Sequence, residues 1–209
     1  MAFVGTKCTS CGRGRYNTMT SQDSISSCVA CSVGKISSKT KQTTPESCED
    51  CPRGRWSSET AFSGFSCTAC VLGRYSNQTG QFEEGTCVEC APGKRSYDVA
   101  ATDSSSCKDC EAGSWSSKVA FVGTSCKKCS KGRYNEHTGQ SSIDSCVACE
   151  VGKRSQIVGA SNSAVCHDCE LGRFSNEVAF SESECHECPL GSYSSYKGAT
   201  ACEICPLGR

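Results

Sequence analysis

Leucine is nearly missing from this sequence. Four Leu, five Ile, 13 Val and seven Phe amount to about 14 % of 209 residues. That is below the share at which apolar burial normally outweighs the entropy of ordering a chain. No apolar run approaches the roughly 18 residues of a membrane span, and Met1-Ala2-Phe3-Val4-Gly5 lacks the basic end and apolar stretch of a signal peptide. Charge of one sign is not in excess either, with 22 basic against 22 acidic residues. No net field therefore draws the chain to nucleic acid, which is not an expected partner, or to a membrane, which only flanking segments would engage. A helical apolar period, a phosphate loop, paired carboxylates and a Ser/His/Asp arrangement are also lacking. That leaves no candidate catalytic residue or cofactor site. His137, His167 and His186 share no recurring position and are read as solvated loop residues.

Cysteine is what the sequence has instead. Its 22 copies are about a tenth of the chain, the mark of a disulfide scaffold or a metal-binding array. Every Cys belongs to a C-x-x-C pair, and the pairs start at Cys8, Cys28, Cys48, Cys67, Cys87, Cys107, Cys126, Cys146, Cys166, Cys185 and Cys202. Spacings of 20, 20 and 19 recur three times, giving a super-repeat of 59 residues. Ala2-Phe3, Ala61-Phe62, Ala120-Phe121 and Ala179-Phe180 fall in step with it. The frame divides the chain into residues 1–60, 61–119, 120–178 and a partial copy at 179–209. Self-similarity at this period predicts an elongated array whose units touch mainly their neighbours. Phe3-Val4 already matches Phe121-Val122, and Gly208-Arg209 opens another unit, so the sequence is read as a piece of a longer array.

Within one unit, Gly stands three residues after the second Cys, as at Gly14, Gly34 and Gly54, which points to positive φ or close backbone approach. Arg, Lys or Ser follows, then a bulky residue, then Ser or Asn, as in Gly14-Arg15-Tyr16-Asn17 and Gly54-Arg55-Trp56-Ser57. A dozen polar residues without helical period lead to the next C-x-x-C. Each unit is therefore expected to be an irregular looped hairpin with short β segments and little or no helix.

The pattern C-x-x-C-x-x-G-[RKS]-[YWF]-[SN] with a polar return to C-x-x-C resembles the ephrin-receptor-like cysteine-rich repeat of the growth-factor-receptor cysteine-rich superfamily, a relative of tumour-necrosis-factor-receptor modules. The resemblance runs through the whole chain. The middle unit of each 59 departs from it, carrying Ile36, Arg95 or Arg154 where the family usually has an aromatic, so the units are not expected to pack alike. The family implies a non-enzymatic segment of a secreted or cell-surface protein. Such a segment acts as a stalk, a spacer or an adhesion and recognition surface, or as a receptor-type ectodomain that binds a protein ligand. Its expected partners are a protein or a glycan.

Two other chemistries were open to these cysteines. C-x2-C-x16-C-x2-C falls within zinc-ribbon spacing, the basis of an intracellular multi-zinc alternative. Against it, Gly directly follows the second Cys only at Cys11-Gly12, and eleven pairs do not tile into four-cysteine sites. A redox C-x-x-C needs a low-pKa thiolate at a helix N-terminus, which eleven copies in a helix-poor array do not have. For disulfides, bridging within C-x-x-C closes a small strained ring. Joining the second Cys of one pair to the first of the next closes a loop worth near 3 kcal/mol in the chain-entropy model, and the family resemblance points the same way. That rule gives Cys11-Cys28, Cys31-Cys48, Cys51-Cys67, Cys70-Cys87, Cys90-Cys107, Cys110-Cys126, Cys129-Cys146, Cys149-Cys166, Cys169-Cys185 and Cys188-Cys202, with Cys8 and Cys205 single. An interlocked scheme, Cys8 with Cys28 and Cys11 with Cys31, is the competitor.

Three surface features complete the expectation. Arg15, Lys35, Arg55, Arg74, Lys94, Arg133, Lys153 and Arg173 recur at one position. They are read either as ion-paired with acids such as Glu49, Asp50, Asp109, Asp168 and Glu187 or as a site for an anionic glycan. Tyr16, Trp56, Tyr75, Trp115, Tyr134, Phe174 and Tyr193 form a second row, expected to pack on their own unit. Asn77-Gln78-Thr79 is the sole N-x-[ST] sequon, a candidate N-glycosylation site.

Overall fold

Ten antiparallel hairpins with two residues in each strand organise the described residues, from Arg15–Tyr16 with Val29–Ala30 to Ser192–Tyr193 with Glu203–Ile204. The computed structural model describes residues 10–20, 22 and 24–206. Ala2, Phe3, Cys8, Gly208 and Arg209 lie outside them. No α-helix occurs among the described residues. The chain forms two compact units, Met1–Cys90 with Ser96–Ser106, and Ala91–Arg95 with Cys107–Arg209.

Sequence spacing decides local structure in the loops. Loops whose bonded cysteines are 17 positions apart place a single 3-10 turn before the closing Cys, at Ile25–Ser27, Pro45–Ser47, Glu84–Thr86, Ile143–Ser145 and Ser163–Val165. Ser24, Ser142 and Asn162 cap three of these turns by accepting the N–H two residues on, the ordinary work of small polar side chains at an N-cap. The loops whose cysteines are 16 positions apart, closed by Cys51–Cys67, Cys110–Cys126 and Cys169–Cys185, have no such turn. Phe62, Phe121 and Phe180 occupy them instead. Phe180 is buried with Cys169 and Cys185, so one ring takes the place of the missing turn.

Backbone bonds then tie consecutive hairpins. In the first compact unit, Gly14, Gly34 and Gly54 donate to the carbonyls of Ser37, Ser57 and Ser76 at 2.8–2.9 Å, while Lys41, Ala61, Gly80 and Ala100 donate to those of Cys11, Cys31, Cys51 and Cys70 at 2.8–3.0 Å. In the second, Gly93, Gly113, Gly132 and Gly152 donate to Ser116, Asn135, Ser155 and Ser175, and Gly139, Gly159, Ala179 and Gly198 to Cys110, Cys129, Cys149 and Cys169. The core consists of cystines and a row of buried small polar residues, Ser37, Ser57, Ser76, Ser96, Ser116, Asn135, Ser155, Ser175 and Ser194. The burial of Ser37, Ser57, Ser76, Ser116, Asn135, Ser155, Ser175 and Ser194 is tolerated because their backbone is bonded to neighbouring hairpins. Several of their side chains also turn back on the chain, as where Asn135 Oδ1 accepts from the His137 N–H at 3.0 Å and Ser194 Oγ donates to the Tyr196 carbonyl at 2.9 Å, whereas the buried Ser57 Oγ has no partner among the described residues.

The recurrent Gly answers two demands at once. Gly34 and Gly93 have φ of 73° and 81°, and a Cβ on either would fall on the carbonyl oxygen of Gly80 or Gly139, two hairpins further on. Gly172 has φ of 74° but meets nothing within 4 Å. Gly172→Ala should therefore lose only the conformational term, about 1–2 kcal/mol, whereas Gly93→Ala should lose clearly more. Urea midpoints of the two variants check this, and equal losses would show that the close approach carries no weight.

Candidate functional site

The sulfurs come first because they hold everything else. Cys11–Cys28, Cys31–Cys48, Cys51–Cys67, Cys70–Cys87, Cys110–Cys126, Cys129–Cys146, Cys149–Cys166, Cys169–Cys185 and Cys188–Cys202 are disulfide-bonded, with Cα atoms 5.5–5.8 Å apart. Cys90 and Cys107 are also disulfide-bonded. Cys205 is a free, partly buried thiol.

Each bridge closes a loop at the base of a hairpin, and the hairpin sets the charged residues opposite one another. The residue after the recurrent Gly faces the residue two after the next first Cys: Lys35 faces Asp50, Lys94 faces Asp109, Lys153 faces Asp168, and Arg74 faces Glu89. These pairs close to 2.5–2.6 Å. Where the facing residue is Ala, the base is Arg and bonds a carbonyl: Arg15 to Cys28, Arg55 to Cys67 and Arg133 to Cys146, at 2.8–3.0 Å. Arg173 does both, reaching the Cys185 carbonyl, Glu184 and Glu187. Lys faces Asp in these hairpins, whereas Arg faces Glu or Ala, and where it faces Ala its longer forked guanidinium spans to a carbonyl instead. Glu49, opposite Ile36, takes no ion pair among the described residues. The basic row is consequently engaged within the chain along most of its length.

Most of the aromatic row is half-buried, and Tyr193 is exposed. Lys127 stands 5.2 Å from the Trp115 ring. Two of the three histidines are not in loops: His167 and His186 lie on second strands, and His186 sits against the rings of Phe174 and Phe180 at 5.7 and 5.0 Å. Both directly follow the first Cys of a pair, at Cys166-His167 and Cys185-His186, so these two do share a recurring position, contrary to the reading of all three as loop residues. His137 is an exposed loop residue. At the last hairpin the Tyr193 phenol is pushed up by the hydrogen bond and charge of Glu203, and the Lys197 ammonium is pushed up by its contact with Glu170. Asn77 is exposed, one residue beyond buried Ser76, in the loop between the Arg74–Tyr75 strand and the next 3-10 turn.

A second strained position escaped the sequence. Lys41, Ala61, Ala100, Ala120 and Ala179 have positive φ between 47° and 61°, and glycine holds the equivalent place at Gly80, Gly139, Gly159 and Gly198. With Ala, Gly and Lys sharing it, no single residue type marks the position. The one signal is its neighbour, a β-branched residue in eight units: Thr40, Thr60, Thr79, Val99, Val119, Thr138, Val158 and Val178.

Disulfide-stapled hairpins repeated in this way define a class of small cysteine-rich module. Residues 178–209 match the model of the family described as tyrosine-protein kinase ephrin type A/B receptor-like. The same Cys frame, Gly position and hairpin recur through the described chain, so its other repeats are similar to the ephrin-receptor-like cysteine-rich repeat that residues 178–209 match. No curated protein matches the chain.

The site's energetics have a clear order. Replacing Cys129 and Cys146 together by Ala should lower stability by about 3 kcal/mol, and Asp168→Asn, which breaks a solvent-exposed pair, by less than about 1 kcal/mol. Chemical denaturation of both variants measures the two losses. A larger loss for Asp168→Asn would contradict a covalently held fold.

Proposed function

We propose that this chain is an extracellular stalk, spacer or recognition segment of a secreted or cell-surface protein, without catalytic activity. The observation that carries the proposal is the staple itself. Twenty described cysteines are disulfide-bonded, and bonds of this kind form and persist in oxidising compartments. The ephrin-receptor-like repeat is moreover a non-catalytic ectodomain module type. A sulfur held in a disulfide has no thiolate to offer zinc or a redox substrate, which sets the multi-zinc alternative apart. The 59-residue segments are proposed as the duplicated units. In this setting the exposed amide of Asn77 takes an N-glycan, because the loop leaves its side chain in solvent next to Thr79.

Expression through a eukaryotic secretory pathway tests both statements. The secreted protein should carry no stoichiometric zinc, resist alkylation at all but one or two thiols, and lose one glycan's mass with an N-glycosidase, a loss abolished by Asn77→Gln. Reduced thiols with bound zinc would overturn the extracellular assignment, and an unmodified Asn77 in an otherwise oxidised protein would overturn the glycan alone.

A further inference from the structure

Net neutrality hides a strong local segregation of charge. Residues 107–133 hold six bases and two acids, and residues 168–187 hold six acids and one Arg. Over the same stretch the pairing rule of the hairpins breaks. At Ser114–Trp115 with Lys127–Lys128 the usual base is replaced by Ser114, and the facing residue, elsewhere Ala, Ile or acidic, is Lys128. The preceding hairpin sets Lys108 directly opposite Arg95, a like-charge pair that disfavours the fold when left alone. Lys108, Lys118, Lys128 and Lys131 are exposed and have no acid partner among the described residues.

One of these cations shares a cleft with Arg95. Arg95 and Lys128 line one cleft of about 120 Å³ together with Ser114, Thr124, Ser125 and Glu111. Arg95 is held there by the Thr124 carbonyl, which it donates to, and by Glu111 at 3.4 Å. The stem of Lys128 lies against the Gly159 backbone, where an added Cβ would come within 2.9 Å of its Cδ, so its ammonium is presented by a supported chain. Two cations with hydroxyl groups beside them form a site for a tetrahedral oxyanion. Lys108 opposite Arg95 and Lys127 over Trp115 extend the positive surface beyond the cleft.

We propose that this face binds a sulfated polysaccharide, with one sulfate group between Arg95 and Lys128 and further sulfates along Lys108 and Lys127. The polymer class follows from the extracellular reading above, on which this proposal rests. In that compartment the abundant linear polyanions are sulfated glycans, and several cations spread over two hairpins match a chain of anionic groups better than a single ion. Glu111 is the acid on the cleft rim, with a side chain 83 % exposed. Its carboxylate opposes the ligand and should weaken binding.

Binding of the disulfide-intact chain to a heparin oligosaccharide, followed by calorimetry over a range of salt, tests this. The wild type should bind, and the slope of log K against log salt should fall by roughly one for each of Lys108→Ser and Lys128→Ser. Glu111→Gln should tighten binding several-fold. Lys153→Ser, which removes a lysine already paired to Asp168, should leave it unchanged, and fully desulfated heparin should not bind. The proposal is overturned if heparin fails to bind at low salt, if Lys153→Ser weakens binding as much as Lys128→Ser, or if desulfated heparin binds equally. Tighter binding of a DNA oligomer or anionic vesicle through the same lysines would also overturn it. A thiol and zinc assay on the same sample separates failure of this site from failure of the extracellular reading.

Discussion

A hairpin with two residues in each strand cannot hold its own register, and two-stranded ribbons are at best marginal in water. What fixes each one is the disulfide at its base, which keeps the residue before the second strand near the start of the loop and leaves two backbone pairs to form in only one way. Everything else follows from that closure. The N–H of the second Cys of a pair meets the carbonyl of the recurrent Gly before the hairpin that ends there, as Cys31 does with Gly14 and Cys149 with Gly132, both at 2.8 Å. The Gly N–H is thereby free for the next hairpin. The cysteines are also the most deeply buried side chains, Cys51, Cys70, Cys110 and Cys169 being wholly inaccessible. The same atoms serve as cross-link and as core in a chain poor in Leu and Ile.

With so little apolar area, close packing is achieved by backbone rather than by side chains. Positive φ at two places per unit bends the chain so that carbonyls of one hairpin lie on glycines of an earlier one. At the second place four alanines and a lysine accept a conformation that costs a non-glycine residue about 1–2 kcal/mol, and Lys41, Ala61, Ala100 and Ala179 are held there by the hydrogen bond each donates to a cysteine carbonyl. Strain of this size persists only where surrounding structure over-determines it, and here the disulfide on each side does so.

Much of this was legible in the sequence. C-x-x-C spacing, the recurrent Gly and the absence of helical period lead to the hairpin repeat, because each has a single local cause. Other features were hidden because they arise between hairpins. The positive φ of Ala61 and Ala179 is set by a bond to Cys31 and Cys149, and no residue type records it. The pairing of Lys35 with Asp50 joins residues 15 apart, visible only once register is known. For the same reason the basic row, which in sequence was open to internal ion pairing or to an anionic glycan, is seen to be internally engaged only once register is known. The unmatched cations lie instead at Lys108 and Lys128, in hairpins where the pairing is broken.

Charge and fold are therefore linked through register, and register through the disulfides, so the connectivity is the point on which the account stands. Non-reducing proteolysis with mass spectrometry of the disulfide-intact chain tests it most directly. The account predicts linked peptides joining Cys11 to Cys28, Cys31 to Cys48 and so on, the second Cys of each pair to the first of the next. Peptides joining Cys11 to Cys31, or Cys8 to Cys28, would mean interlocked units and would contradict it.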